Sequence, residues 1–170
     1  MSAVSDYHWI QRIVEQYRDQ LMAIDDAHWL VTPPIGGWSY SEVYFHIFDA
    51  SVLSLVQLTG SAEGRGKIKP TAFVVKLILF LGAFPPGKKF KAPKNLVERL
   101  KRVSKEEASD MMDTFLLQFE LAFATLKNAD PAIKTPHPKM GYLNAQHWLR
   151  FIGIHLNHHL KQLKRIEKSF

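Results

Sequence analysis

The chain has 170 residues and a net charge of +6, and its 46% hydrophobic and 22% charged residues are typical of one compact globular domain. It contains no cysteine, which excludes disulfide bonds and thiolate metal sites, so His, Asp or Glu would have to bind any metal. Because no basic-then-apolar leader opens the sequence and the apolar run at 72–84 is too short to span a bilayer, we expect a soluble, cytoplasmic protein.

The first part of the chain predicts two long helices. Helix 1 is expected from about Asp6 to Ile24, because its apolar residues recur every three or four positions. Two Pro and two Gly between 33 and 37 predict a loop. A capping box then begins helix 2, which is expected to reach about Leu58; it has the sequence Ser39-Tyr-Ser-Glu42.

A basic and apolar insertion, residues 61–95, follows helix 2. It contains a predicted short helix, about Thr71 to Ala83, after a segment rich in Gly and Lys. Residues 61–105 hold twelve Lys or Arg against two Glu, a net charge of +10, which leaves −4 for the rest of the chain. Such a block attracts anionic partners but is more often a solvated surface, so we do not expect a nucleic acid or membrane partner. Four apolar residues of the insertion are expected to cover one end of the bundle or to form a dimer contact; they are Phe73, Leu77, Phe80 and Leu81.

Two further long helices are predicted in the second half. Ser104-Lys-Glu-Glu107 is a second capping box, and Asn144 is a plausible N-cap for helix 4, which extends to about Glu167. The prolines between 131 and 138 predict a loop, and no alternating run predicts a β-hairpin. The sequence therefore indicates a single domain, residues 1–170, that is an all-α four-helix bundle with a short helical insertion between helices 2 and 3.

Three histidines form the candidate metal site. His155 and His159 are four residues apart, so they share one face of helix 4, and that face is otherwise apolar. His46 lies on the apolar face of helix 2. Three imidazoles can hold a divalent ion and leave positions open for water or substrate, and nitrogen ligands suit zinc, nickel, copper or iron.

Alternatives to this ligand set remain open on the sequence. The histidines could be core residues that make ordinary hydrogen bonds, and His158 could replace one of the ligands because it lies three residues after His155. Three polar residues one turn from a candidate ligand could orient its ring; they are Glu42, Asp49 and Gln162. The paired Glu-x-x-His motifs of a di-iron carboxylate site do not occur.

The histidines lie in stretches that resemble the DinB/YfiT-like metalloenzyme superfamily, in particular a branch without an assigned activity. The most specific stretch runs from His137 to Trp148 and leads into residues 155–162; weaker matches are 37–46 and 89–94. The resemblance covers about residues 28–166. It implies a four-helix bundle of the up-down-down-up type, often dimeric, with a divalent metal held by three histidines, and the matching positions are His46, His155 and His159.

The same resemblance suggests a function. Several members are thiol-dependent transferases or isomerases in which the metal activates a low-molecular-weight thiol. We therefore expect a metal-dependent transferase or hydrolase that acts on a small molecule, with zinc or nickel favoured over iron or manganese, in a homodimer. The alternative is a non-catalytic metal-binding or ligand-binding bundle protein, for example a stress-related one. The sequence assigns no catalytic residue, and enzyme status stays open at this point.

Overall fold

The computed structural model describes residues 2–85 and 99–170. The long helices are α1 (Ala3–Ala23), α3 (Tyr40–Ala62), α5 (Lys105–Thr125) and α6 (Ala145–Glu167). The short helices are α2 (Asp26–Trp29) and α4 (Phe73–Leu81), and a 3-10 turn spans Leu126–Asn128. The strands are β1 (Lys67–Ile68), β2 (Ile133–His137) and β3 (Gly141–Leu143).

The predicted helix starts are confirmed by their hydrogen bonds. Ser39 and Ser104 each form the full reciprocal capping box, and the Asn144 side chain accepts from the backbone N–H of His147 at 2.9 Å. Helix α3 continues about one turn beyond its predicted end. Its last turn is supported from outside, because the Ser61 hydroxyl donates to the carbonyl oxygen of Ile133 at 2.7 Å.

Contacts between the helices define their directions. Asp6 of α1 contacts Arg150 of α6, and Tyr17, further along α1, donates to the carbonyl oxygen of Leu156, further along α6. The two helices are therefore parallel. Helices α3 and α5 are parallel as well, since Ser41 lies against Val103 near their starts and the Phe48 and Phe115 rings meet further along.

The two parallel pairs run in opposite directions. Arg18 of α1 contacts Asp113 of α5, whereas Tyr7, earlier in α1, contacts Glu120, later in α5. In order along the chain, the four helices therefore run up, down, down and up, as the family resemblance implied. Helices α1 and α3 face each other diagonally, and the rings of Tyr17 and Tyr44 meet edge to face across the core, 5.5 Å apart.

Helix α3 is the central helix of the bundle. It packs closely against both α5 and α6, and the rings of Tyr44 and Phe48 are fully buried. Among the described residues it is also the one helix long and apolar enough to cross a bilayer, but more than half of its most apolar window is buried inside the protein. Its position in the core therefore accounts for its composition.

The prediction that residues 131–143 form a loop without strands is wrong. Strands β2 and β3 form an antiparallel hairpin in which Thr135 is opposite Leu143, and β1 adds a third strand with Lys67 opposite Lys134. The Thr135 hydroxyl donates to the carbonyl oxygen of Gln57 at 2.9 Å, which joins the hairpin to α3.

A histidine closes the turn of this hairpin. The Nδ1 atom of His137 accepts from the backbone N–H groups of Lys139 and Met140, both at 3.0 Å. Gly141 has a φ of +73°, which a glycine adopts without steric cost. The prolines at 136 and 138 masked the hairpin in the sequence because proline usually marks a loop or the edge of a sheet.

Helix α4 is attached to the bundle by two buried apolar residues and one arginine. Val75 and Leu79 face inward. Arg150 of α6 donates from Nε to the carbonyl oxygen of Leu79 at 3.0 Å and from Nη1 to Asp6 Oδ1 at 2.6 Å, so one guanidinium links α4, α6 and α1. The helix ends at Gly82, which has a φ of +69°.

The residues predicted to cover the bundle do not do so. Phe73 and Phe80 are more than 80% exposed, and Leu77 and Leu81 are exposed as well, because α4 turns Val75 and Leu79 to the bundle instead. The prediction that these four residues cover one end of the bundle is therefore wrong. The rest of the predicted insertion, residues 86–95, including the family-like stretch 89–94, lies outside the described residues.

Candidate metal centre

The three predicted histidines meet at one end of the bundle. His46 lies in the second turn of α3, His155 lies at the middle of α6, and His159 lies one turn later. Because α3 and α6 are antiparallel, the start of one helix lies beside the end of the other. The ring centroids of His46 are 5.5 Å from those of His155 and 4.9 Å from those of His159, and the two α6 rings are 4.7 Å apart.

The nitrogen positions match a single ion. His155 Nε2 and His159 Nε2 are 3.1 Å apart. Two imidazole nitrogens that bind one ion at about 2.0–2.1 Å are themselves about 3 Å apart for bond angles between about 90° and 110°. One nitrogen from each of the three rings lies within 4.8 Å of the others, and His46 supplies the third.

A glutamine fixes the orientation of one ring. His159 Nδ1 is 2.8 Å from Gln162 Oε1, and an amide oxygen can only accept, so Nδ1 carries the proton. The lone pair of His159 is therefore on Nε2, the atom that faces His155. This is the outer-shell arrangement that metal-binding histidines ordinarily have.

The other two candidates for this orienting role are used elsewhere. Asp49 pairs with Arg99, with the closest atoms 2.7 Å apart. Glu42 accepts from the Ser39 backbone N–H in the capping box and lies 3.6 Å from Arg102. Of the three polar residues considered in the sequence, Gln162 is the one that touches a ring of the cluster.

The cluster is uncharged at neutral pH. Burial lowers the pKa of His46 to about 4, and the nearby Asp49 carboxylate offsets only part of that effect. Burial also lowers the pKa of both His155 and His159 well below its usual value, and the neighbouring imidazoles lower it further. All three rings therefore keep a lone pair available at pH 7, as metal binding requires.

Aromatic side chains surround the cluster, and these were not predicted from the sequence. The Trp38 ring is 4.8 Å from that of His46 and lies parallel to that of His159. Phe151 stacks on His155 at 5.4 Å, and Phe84, from the segment after α4, lies 6.5 Å from His155. Spacing could have found Phe151, one turn before His155 on α6, whereas the other two residues come from loops.

His158 lies beside the cluster and not within it. Its ring is perpendicular to that of His159, with centroids 5.2 Å apart, and it packs against Phe84. Within the described ranges, the group of ligand atoms close enough to share an ion contains His46, His155 and His159. The geometry therefore favours His155 over His158 as the partner of His159.

Comparison with known proteins agrees with this arrangement. The model of the DinB superfamily matches residues 10–163, a range that contains all three histidines. The chain belongs to the DinB superfamily. The resemblance inferred from the sequence is thereby confirmed, and this DinB-superfamily chain carries a buried histidine cluster that is able to hold a metal ion.

Two further similarities extend over nearly the whole chain. This DinB-superfamily chain is 27% identical over 153 residues to the uncharacterized protein YuaE of Bacillus subtilis (strain 168). The aligned residues cover 89% of this chain and 90% of YuaE. Its structure is similar to the crystal structure of TT2238, a four-helix bundle protein, with a TM-score of 0.62 and 21% identity over 96% of this chain and 99% of that one. The structural similarity establishes the shared four-helix-bundle fold.

Proposed function

We propose that this DinB-superfamily protein is a metal-dependent enzyme that acts on a small molecule, either as a transferase that uses a low-molecular-weight thiol or as a hydrolase. In this proposal His46, His155 and His159 hold the metal. The observation that carries it is the convergence of three uncharged imidazoles from two antiparallel helices. Nitrogen ligation favours zinc or nickel, and iron or manganese is compatible with it.

The chemistry of the site follows from its ligands. When bound, a divalent ion supplies the charge that lowers the pKa of a coordinated thiol or water, which makes either one a nucleophile near neutral pH. Gln162 keeps His159 in the tautomer that presents Nε2. Trp38, Phe84 and Phe151 exclude water from the sides of the cluster and favour a substrate with an apolar portion.

A non-catalytic metal-binding or ligand-binding protein, for example a stress-related one, is the second candidate. One observation favours it: the two nearest candidate carboxylates, Asp49 and Glu42, are paired with Arg99 and Arg102. Within residues 2–85 and 99–170, no Asp or Glu joins the histidine group. An unpaired carboxylate that could act as a general acid or base is therefore not supplied beside the site by the described residues.

Metal content tests the site itself. We expect about one zinc or nickel ion per chain in the purified, untagged protein by elemental mass spectrometry, and none in His46→Ala or His155→Ala. His8→Ala is the matched control, because His8 is an exposed histidine of α1 that hydrogen-bonds to Gln11. Equal metal in wild type and His155→Ala would rule out this ligand set.

Cobalt substitution separates the two candidate functions. If the site is catalytic, adding a small thiol to the Co²⁺-loaded protein changes its visible spectrum, because the thiol enters an open position. An unchanged spectrum at saturating thiol, together with no turnover of electrophiles or esters, would favour the non-catalytic candidate. Turnover that survives in His155→Ala would exclude the proposed enzyme.

Two further expectations stay predictions. A homodimer is tested by light scattering of the purified protein, where a mass of one chain would contradict it. A cytoplasmic location is tested by fractionation of the source cells, and it is compatible with attachment to a membrane surface from the inside.

A further inference from the structure

Helix α4 exposes a continuous apolar face. Within its nine residues Lys76 is the one polar side chain. Val75 and Leu79 face the bundle, and five apolar residues point the other way, with Phe73 at 82% and Phe80 at 81% exposure. We call these five the outward face of α4; they are Phe73, Val74, Leu77, Phe80 and Leu81. Soluble proteins seldom expose such a patch unless a partner covers it.

The segment that contains α4 is rich in Lys and Arg and has no acidic residue. Residues 64–97 contain eight Lys or Arg and no Asp or Glu. In the described part of that stretch, Lys67, Lys69 and Lys76 are exposed and form no ion pair with another described residue. The later part of the basic block differs, because Arg99 and Arg102 are paired with acidic residues of α3.

The free cations lie on the same side of the molecule as α4. Lys134 is opposite Lys67 in the β1–β2 pair, and its Nζ donates to the carbonyl oxygen of Lys69. Thr71, two residues before the start of α4, donates from its hydroxyl to the carbonyl oxygen of Tyr142 in β3 at 2.8 Å, so the start of α4 lies against the same three strands. The strands and α4 thus contribute to one basic surface beside the outward face.

The composition of this surface identifies the class of partner. A second copy of the chain would bring two sets of unpaired lysines together across a two-fold interface, which is unfavourable. A single-stranded nucleic acid would stack on aromatic rings, but the outward face also contains Val74, Leu77 and Leu81, which offer no stacking surface. Apolar side chains framed by lysines match a bilayer whose headgroups are negatively charged.

We propose that the outward face of α4 and the lysines beside it bind the surface of an anionic lipid membrane. The aromatic and aliphatic side chains enter the boundary between headgroups and acyl chains, and Lys67, Lys69 and Lys76 contact the lipid phosphates. This differs from the sequence-based expectation that a membrane is not a partner. That expectation treated the basic block as a solvated surface and the apolar residues as a cover for the bundle or a dimer contact. The proposal does not depend on the metal site.

Vesicle cosedimentation of the full chain tests this proposal. We use phosphatidylcholine vesicles with about one-third phosphatidylserine, and vesicles of phosphatidylcholine alone. We expect binding to the anionic vesicles, at least about tenfold weaker binding to the neutral ones, and weaker binding as salt rises. The double variant Phe73→Gln/Phe80→Gln is expected to lose at least about tenfold in vesicle affinity.

A second exposed pair supplies the matched control. Leu117 and Leu121 of α5 are 67% and 69% exposed and lie on a different helix, so Leu117→Gln/Leu121→Gln should bind vesicles as the wild type does. The reversal Lys67→Glu/Lys76→Glu should weaken anionic binding and leave neutral binding unchanged. Circular dichroism and metal content of each variant show that the bundle is intact.

Three results would overturn the proposal. The first is equal binding of wild type and Phe73→Gln/Phe80→Gln to anionic vesicles. The second is no vesicle binding by the wild type, with the same variant converting a dimer into a monomer, which would identify the outward face as an interface between copies. The third is no vesicle binding, with the variant unfolding several degrees earlier, which would show that the chain itself covers the face.

Discussion

The histidine cluster and the outward face of α4 both depart from the usual burial of their residue types: the first buries polar rings, and the second exposes apolar side chains. At the cluster, polar rings lie inward between α3 and α6, where each ring must be compensated by hydrogen bonds or by an ion. On α4, large apolar side chains lie outward, where water makes their exposure unfavourable. In our two proposals, each region is explained by something outside the polypeptide, a cation in the first case and an anionic membrane surface in the second.

The two regions are also attached to the fold in different ways. The cluster is carried by the two helices that form the centre of the bundle, so its geometry is fixed by the whole core. Helix α4 is held by two buried side chains and by the guanidinium of Arg150. We therefore expect substitutions that affect the one region to leave the other largely unchanged.

The largest effect is expected at the buried ion pair. Asp6→Ala leaves Arg150 buried without its carboxylate, and the loss of one partner of a buried pair costs about 3–5 kcal/mol of unfolding free energy. Urea denaturation measures this loss. Because Arg150 also holds α4, limited proteolysis should cut the variant earlier near α4, while its zinc affinity stays within about twofold.

An exposed ion pair serves as the control for that substitution. Asp113 Oδ1 lies 2.7 Å from Arg18 Nη2, close to the 2.6 Å between Asp6 and Arg150, but the side chains of Asp113 and Arg18 are 60% and 32% exposed. Asp113→Ala should cost less than about 1 kcal/mol. If Asp6→Ala is no more destabilising than Asp113→Ala, Arg150 does not anchor α4 in the way that we describe.

A second, smaller effect is the pH dependence of the metal-free protein. Burial lowers the pKa of His137 and of His46 to about 4, whereas an unfolded histidine titrates near 6.5. Between these two values the unfolded chain binds more protons than the folded one. The stability that depends on the neutral forms of these two histidines is therefore fully present above about pH 6.5, falls as the pH decreases toward 4, and is lost below that value.

His137→Asn isolates one part of this dependence. An asparagine oxygen can take the place of Nδ1 and accept from the N–H groups of Lys139 and Met140, so the hairpin turn is kept. The fall in unfolding free energy between pH 6.5 and 4 should then shrink by up to about 3 kcal/mol. Parallel curves for the variant and the wild type, measured by urea titration at each pH, would contradict the account.

Local sequence signals predicted the parts of the fold that local contacts determine. The capping boxes at Ser39 and Ser104 fixed the starts of α3 and α5, since each box needs only residues within one turn. The spacing of His155 and His159 predicted a shared face for the same reason. The meeting of His46 with that pair followed from the bundle and from the family resemblance, and not from spacing alone.

The missed features depend on distant partners. The hairpin of residues 133–143 contains two prolines, and its pairing with β1 joins residues that are more than sixty positions apart. Trp38 and Phe84 reach the histidines from loops, whose course no periodicity predicts. The direction of the apolar residues of α4 was also unpredictable, because eight of its nine residues are apolar and a single lysine does not define which side faces the core.

A third effect sharpens the description of the metal site. Gln162→Leu removes the acceptor for His159 Nδ1–H but keeps much of the side-chain volume, so the ring can change tautomer or rotate. Loss of such an outer-shell partner lowers metal affinity by about 10–100-fold, and competitive zinc titration measures it. Asn157→Leu, a change on α6 at a residue with no side-chain hydrogen bond among the described residues, is the control and should bind as the wild type does.

The smallest effect is expected from the cap that begins α3. Ser39→Ala removes the hydroxyl that accepts from the Glu42 backbone N–H, which should cost about 1 kcal/mol of unfolding free energy. Ser104→Ala removes the equivalent contact at α5, so its thermodynamic cost should be similar. The two variants should differ at the metal site, because Ser39 lies beside Trp38 and two turns before His46, whereas Ser104 is on a helix that carries no ligand. A measurable loss of zinc affinity in Ser39→Ala alone would show that the start of α3 positions His46, and equal affinities in both variants would show that packing against α6 is sufficient.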